Sequence, residues 1–231
     1  MIYYNYSYAQ IQALADDLNK RYNPNRLTKA MPVDVFDIVD LLGARLAFEY
    51  LSPDRSYLGA TTFADGTLWI WPGNPFTSEM RPERKFFKKG TIIIDADLDS
   101  GNTQQDRFTE NYTVIHECFH FSKHEPCFRH QAHLSKNADD YRRGQNQPNS
   151  ALYNIERQAN YAAAAFLMPR EAITNAFRER CTGEPFPFCY EVKPFIKEIG
   201  ELFGVNYTPV VYRLQELGLL DLHFDSQISF T

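Results

Sequence analysis

The stretch Tyr112-Thr113-Val114-Ile115-His116-Glu117-Cys118-Phe119-His120-Phe121 decides how the rest of the chain is read, because it carries an H-E-x-x-H motif at His116, Glu117 and His120. On a helix His116 and His120 lie one turn apart on the same face, so two imidazoles can meet one ion. Glu117 is rotated about 100° from His116, where it can act on a water held by that ion. The pattern points to a hydrolytic metal site with two histidine ligands and a carboxylate base. Such a motif arises by chance in roughly one chain of this size per hundred, so other residues must carry part of the reading.

Working outward, the motif sits on a helix expected over Asp106 to Phe121. Upstream, the hydrophobic period is that of strands over Arg45–Leu51, Tyr57–Phe63 and Thr67–Trp71, the last two separated by the turn residues Ala64-Asp65-Gly66. Thr91-Ile92-Ile93-Ile94-Asp95 is a fourth strand, and its β-branched run suits burial. An antiparallel meander is the simplest arrangement, with Thr91–Asp95 as the edge where an extended substrate would pair. Between the strands lies Arg81-Pro82-Glu83-Arg84-Lys85-Phe86-Phe87-Lys88-Lys89, with five basic residues and one acidic. It reads as a solvated loop, with a contact surface for substrate or nucleic acid as the sharper alternative. Ahead of the strands, Tyr8, Ile11, Leu14, Leu18 and Tyr22 recur at helical spacing until Asn23-Pro24-Asn25, and a short helix follows between Pro32 and Gly43.

Downstream, Ser122 to Asn149 looks irregular and holds three more histidines, His124, His130 and His133. A long loop beside a candidate site is seldom neutral filler. Ser150 to Leu167 reads as a helix ended by Met168-Pro169, and Glu171 to Arg180 as another. Two closing helices flank Gly204, the second starting near Thr208-Pro209 and ending at Gly218. They resemble a helix-turn-helix, yet Glu191 to Thr231 has three basic and six acidic residues. A DNA reader needs phosphate-neutralising charge, so a packing or partner-docking role is favoured over direct DNA binding.

With 231 residues, 44% of them hydrophobic, the chain can bury a core without disulfide staples. Its four cysteines, Cys118, Cys127, Cys181 and Cys189, form no C-x-x-C pair and are expected to be reduced. No run approaches the roughly 18 apolar residues of a membrane span, and the N-terminus lacks the pattern of a signal peptide. The expected location is the cytoplasm, with no membrane contact. A net charge of −5 argues against general attraction to nucleic acid.

A hydrolytic zinc site needs three protein ligands and an open position for water. The extended pattern H-E-x-x-H-x-x-G-x-x-H fails, since Lys123 and Pro126 stand where a glycine and a histidine are required. His124 lies two turns, about 12 Å, beyond His116 on an unbroken helix, too far to share the ion. His130 and His133 satisfy the steric limits, as does Glu125 if the helix ends early. Glu156 is the better candidate, because a second helix packed on the first can present it, with Asn160 one turn later on the same face. Asn160 could then hold a ligand histidine by its other ring nitrogen.

In blocks, the sequence resembles the ImmA/IrrE-type family of zinc metallopeptidases. Tyr112 to His120 is similar to that family's F-T-x-A-H-E-x-G-H. Glu156-Arg157-Gln158-Ala159-Asn160 with Phe166-Leu167-Met168-Pro169 is similar to its E-x-E-A-N and L-L-M-P blocks, and Leu202 to Val205, Tyr212 to Leu214 and Leu217 to Leu220 resemble its closing helices. The resemblance implies one zinc ion on His116, His120 and Glu156, with Glu117 as catalytic base. It implies an α+β, zincin-like fold: a small antiparallel or mixed sheet on an active-site helix pair, with a helical C-terminal region. Residues 1–182 would form the metallopeptidase domain with its N-terminal helices, and residues 183–231 the helix-turn-helix-like region. It also implies a partner class, helix-turn-helix transcriptional repressors. The departures are Asn111 for a frequent Arg, Phe119 for a small residue, Gln158 for a second Glu and Ala162 for an aromatic.

The expected chemistry is attack by a zinc-bound water, with Glu117 moving its proton to the leaving amine. Tyr112 is a candidate oxyanion donor, although a core tyrosine is the plainer account. Cys118 has no dedicated base, which argues against a cysteine nucleophile, and the spacings of Cys118, His124, Cys127, His130 and His133 match no standard zinc module. The alternative function is a zinc-containing regulatory module that contacts a repressor or DNA without proteolysis. Glu117 separates the two, since a structural zinc has no use for that carboxylate.

Overall fold

The computed structural model describes residues 5–73, 76–99, 103–128, 132–136, 150–181 and 189–221. The described chain is α+β and divides into two compact units, one of residues 1–11 and 34–163, the other of residues 12–33 and 164–231. Among the described residues no helix is long and apolar enough to cross a membrane.

The first unit is built on strands β1 (Arg45–Glu49), β2 (Tyr57–Thr62), β3 (Gly66–Ile70), β4 (Glu83–Phe87), β5 (Thr91–Asp95) and β6 (Ala132–Lys136). Four of them form a mixed sheet in the order β1-β5-β2-β6, and β3 pairs with β4 in a separate hairpin. The expected meander is therefore corrected: β5 runs parallel to β1 and antiparallel to β2. With a neighbour on each side and every residue buried, β5 is an interior strand and cannot be the edge that receives a substrate. Ile92, Ile93 and Ile94 are fully buried. One face of the sheet closes on the hairpin through Leu51, Ala60, Ile70, Phe87 and Ile93.

The basic stretch is a strand for most of its length. Glu83–Phe87 pairs with β3, Lys85 bridges to Glu49, Lys89 bridges to Glu125, and Arg84 lies over the Trp69 ring. The segment read as irregular also contributes a strand, β6, which pairs with β2. His130 lies outside the described residues.

Helix α1 is Tyr8–Tyr22 and helix α2 is Val35–Leu42, the latter capped by the Asp34 side chain and ended by Gly43 at φ 72°, where a left-handed residue is needed. After the short α3 (Ala96–Asp99), the motif helix α4 spans Gln104–Phe119. Thr103 caps it, accepting a hydrogen bond from the Asp106 amide at 3.1 Å. The helix does not stop at Phe119. It widens into a π turn over His120–His124 and tightens to a 3-10 turn over Glu125–Cys127. Helix α5 covers Ala151–Leu167, with the Tyr153 amide donating to Ser150 Oγ at 3.0 Å.

The second unit is tied together where α5 ends. Arg26, 1% exposed, donates to the Phe166 and Leu167 carbonyls and to Asn19 Oδ1, and Asn19 Nδ2 donates to the Phe166 carbonyl at 3.0 Å. Arg213 donates to the Met168 carbonyl at 3.1 Å and to Gln12 Oε1. Buried arginines thus satisfy carbonyls that a helix end leaves without partners. Burial lowers the Arg26 guanidinium to about 10. Helix α6 is Arg170–Arg180, α7 is Cys189–Phe203 and α8 is Tyr207–Glu216. Gly200 allows the turn after α7 to fold back: a Cβ there would meet the Val205 carbonyl oxygen at 2.6 Å.

Candidate metal centre

Helix α4 with its π extension and helix α5 bring His116, His120 and Glu156 together inside the first unit. His116 Nε2 and His120 Nε2 are 3.0 Å apart. Glu156 Oε2 lies 3.2 Å from His116 Nε2, and Glu156 Oε1 lies 3.3 Å from His120 Nε2. Asn160, one turn beyond Glu156, sets its Oδ1 3.1 Å from His116 Nδ1. That contact suits an Nδ1–H donor, which leaves Nε2 with its lone pair turned toward the cluster.

Glu117 is fully buried and is held from the sheet. Thr61 Oγ donates to Glu117 Oε2 at 2.6 Å. Gly59 makes room for the carboxylate, since a Cβ there would stand 2.6 Å from Glu117 Oε1 and 2.9 Å from the Thr113 methyl. The Tyr112 hydroxyl donates to the Asn160 backbone carbonyl at 2.8 Å, so it ties α4 to α5.

Further residues at the centre lie outside the H-E-x-x-H motif. His133, on β6, places Nε2 against Glu156 Oε1, and its ring stacks on Phe128 with centroids 4.3 Å apart. Phe128 in turn stacks on Phe63. His124 Nδ1 is 2.9 Å from His120 Nδ1, and His124 Nε2 is 3.4 Å from Gln158 Oε1. His124 therefore backs a ligand candidate without reaching the cluster, as its distance along the helix requires. Thr61 and Gly59 were not visible as site residues either, because only the pairing of β2 beneath α4 gives them a role.

The electrostatics follow from burial around one carboxylate. Burial disfavours a charged His116, but Glu156, Glu117 and Asn160 outweigh it and the net direction is upward. Burial prevails at His120, which is held well below the ordinary histidine value, and it pushes His124 down to about 4. At Glu156 burial opposes ionisation, yet the neighbouring His120, His116 and His133 hold the carboxyl well below its ordinary range. Cys118 is the opposite case. Burial, with the Glu117 charge, drives its thiol well above the ordinary value, so it is no thiolate nucleophile at neutral pH. Cys127 packs in an apolar cluster with Phe63, Phe128 and Ile155.

The donor set fits a zinc ion. Ligands about 2.0–2.1 Å from one tetrahedral ion stand about 3.3 Å from one another. Here the two imidazole nitrogens are 3.0 Å apart, His116 Nε2 lies 3.2 Å from Glu156 Oε2 and His120 Nε2 lies 3.3 Å from the other oxygen, Oε1, so the carboxylate faces both histidines at ligand-to-ligand range. Glu156 Oε2 is buried and accepts no hydrogen bond from the described residues, the state of an oxygen arranged for a cation. Two histidines and one glutamate form a ligand set of hydrolytic zinc sites, and three protein ligands leave a fourth position for water. Among the described residues no other group of His, Cys, Asp and Glu side chains converges in this way.

Comparison with curated proteins finds no match. The model of the peptidase M78 family, described as the IrrE N-terminal-like domain, matches residues 75–215. That span is more than half of the chain and contains both helices that carry the cluster. With a peptidase family covering this donor set, the chain belongs to the IrrE N-terminal-like family of M78 peptidases.

Proposed function

We propose that this protein is a zinc-dependent endopeptidase that binds one zinc ion through His116, His120 and Glu156 and cleaves a helix-turn-helix transcriptional repressor in the cytoplasm. The observation that carries the reading is the convergence of the His116 and His120 Nε2 atoms on the buried Glu156 carboxylate, next to a buried Glu117 held by Thr61. When bound, zinc supplies a Lewis acid that acidifies a water and polarises the scissile carbonyl. Glu117 takes the proton of the attacking water and returns it to the leaving amine. Thr61 fixes that carboxylate, and Asn160 holds His116 in the tautomer that presents Nε2.

The repressor as substrate class rests on the resemblance of the motif blocks and the closing helices. The acidic C-terminal helices dock the partner. Arg213, one of their few basic residues, is fully buried and engaged with Met168 and Gln12, which leaves still less charge for DNA. The extended substrate lies along β6, the outermost described strand on that side of the sheet, which bears His133 beside Glu156.

The test is Glu117→Gln, assayed for zinc content and for cleavage of the repressor encoded nearest this chain's gene. Zinc is expected to stay and cleavage to disappear. Undiminished cleavage would sink the proposal. Tight binding of the repressor by the wild-type chain with no cleavage would assign a regulatory binding module instead.

A further inference from the structure

Behind His120 lies a second layer of buried polar groups that the mechanism above does not use. His120 and His124 are fully buried and Gln158 is 2% exposed. Their contacts form a line: His120 Nδ1 to His124 Nδ1 at 2.9 Å, then His124 Nε2 to Gln158 Oε1 at 3.4 Å. We infer that His124 and Gln158 are positioning residues that lock His120 in the one tautomer able to offer Nε2 to a metal ion. The inference rests on the metal-site reading of His116, His120 and Glu156.

Two neutral imidazoles facing each other through Nδ1 need one proton between them. If His120 carries it, His120 Nε2 keeps its lone pair for the cluster, His124 Nδ1 accepts, and the His124 proton stands on Nε2. That proton then meets the Gln158 amide oxygen, an acceptor. If His124 carries it on Nδ1, the His120 proton moves to Nε2 and blocks the ligand atom, while two lone pairs meet at His124 Nε2 and Gln158 Oε1. Only the first arrangement satisfies every buried group in the line with Gln158 oriented as found. The Phe119 ring meets His124 edge-on, with centroids 5.2 Å apart, and helps hold the imidazole in place. Helix α5 thus serves the centre from alternate positions: Glu156 faces both histidines, Asn160 sets His116 and Gln158 anchors the line that sets His120.

Zinc affinity of the full chain is to be measured by competition with a chromophoric chelator, for wild type, His124→Phe, Gln158→Leu and Gln158→Glu. Long-range proton–nitrogen NMR correlations of the zinc-loaded wild type read the imidazole tautomers. His124→Phe and Gln158→Leu are expected to weaken zinc binding roughly 10–100-fold. Gln158→Glu, which offers only acceptors, should restore what Gln158→Leu loses, and the spectra should place protons on His120 Nδ1 and His124 Nε2. A His124 proton on Nδ1, wild-type affinity in Gln158→Leu, or no recovery in Gln158→Glu overturns the inference. Circular dichroism checks each fold, and if His124→Phe does not fold, the Gln158 pair and the wild-type spectra decide. A wild-type chain with no zinc affinity overturns the metal-site reading and this inference with it, whereas losses confined to the variants bear on the positioning role alone.

Discussion

At the scale of single residues, Glu117 depends on an absence, the missing side chain of Gly59. A methyl there would stand 2.6 Å from Glu117 Oε1, so Gly59→Ala must displace the carboxylate or the strand. Overpacking of this kind costs about 1–3 kcal/mol, and because either displacement alters the position of Glu117 relative to β2, the expected result is at least about a tenfold loss of kcat with zinc content retained. Steady-state proteolysis with metal analysis checks it. Glu110 offers a pH test away from the cluster. Burial and then the charge of Asp99 raise its carboxyl to about 7. An acid raised on folding is protonated more readily in the folded state, so its ionisation costs stability as pH climbs from its ordinary value near 4.5 to about 7, and the cost stays constant above that. Glu110→Gln should therefore raise Tm at pH 8 and lose that advantage below about pH 4.5. Thermal melts across pH read the effect, and a gain independent of pH would contradict it.

At the scale of elements, the helices and four of the strands were legible, and the order of the strands was not. His116 with His120, and Glu156 with Asn160, can each be placed on one face of a helix from local periodicity, because an i,i+4 spacing puts two residues on one face whatever lies elsewhere in the chain, whereas the pairing of those two faces rests on the family resemblance. Strand order depends on contacts between segments far apart. β1 pairs in parallel with β5 across more than forty intervening positions, which no local pattern in Arg45–Glu49 announces. Ala132-His133-Leu134-Ser135-Lys136 is short and polar for a strand, so β6 stayed hidden inside a segment read as irregular, although His133, which it brings to Glu156, was already among the residues sterically able to reach the site. Arg81–Lys89 looked like a loop because its charges dominate. Its pairing with β3 shows that opposite faces of one strand can be solvated and buried, as Phe86 and Phe87 are. The end of α5 carries its own prediction. Arg26→Met strips the Leu167 carbonyl of its side-chain donor and weakens the caps on Phe166 and Met31, which should cost about 2–4 kcal/mol in urea denaturation.

At the scale of the whole molecule, every residue of the candidate centre falls within the first compact unit, and the second is held by Arg26, Asn19 and Arg213 around the end of α5. Zinc bound to the folded chain and not to the unfolded one must raise stability, by about 4 kcal/mol at a thousandfold excess over Kd. Stripping the metal with a chelator should therefore lower Tm, and restoring zinc should recover it. The most direct test of the account is a zinc-edge anomalous scattering map from crystals of the wild-type chain. One peak bonded to His116 Nε2, His120 Nε2 and a Glu156 carboxylate oxygen is the result predicted; no peak at that cluster, or a peak with Glu117 as a ligand, would contradict it.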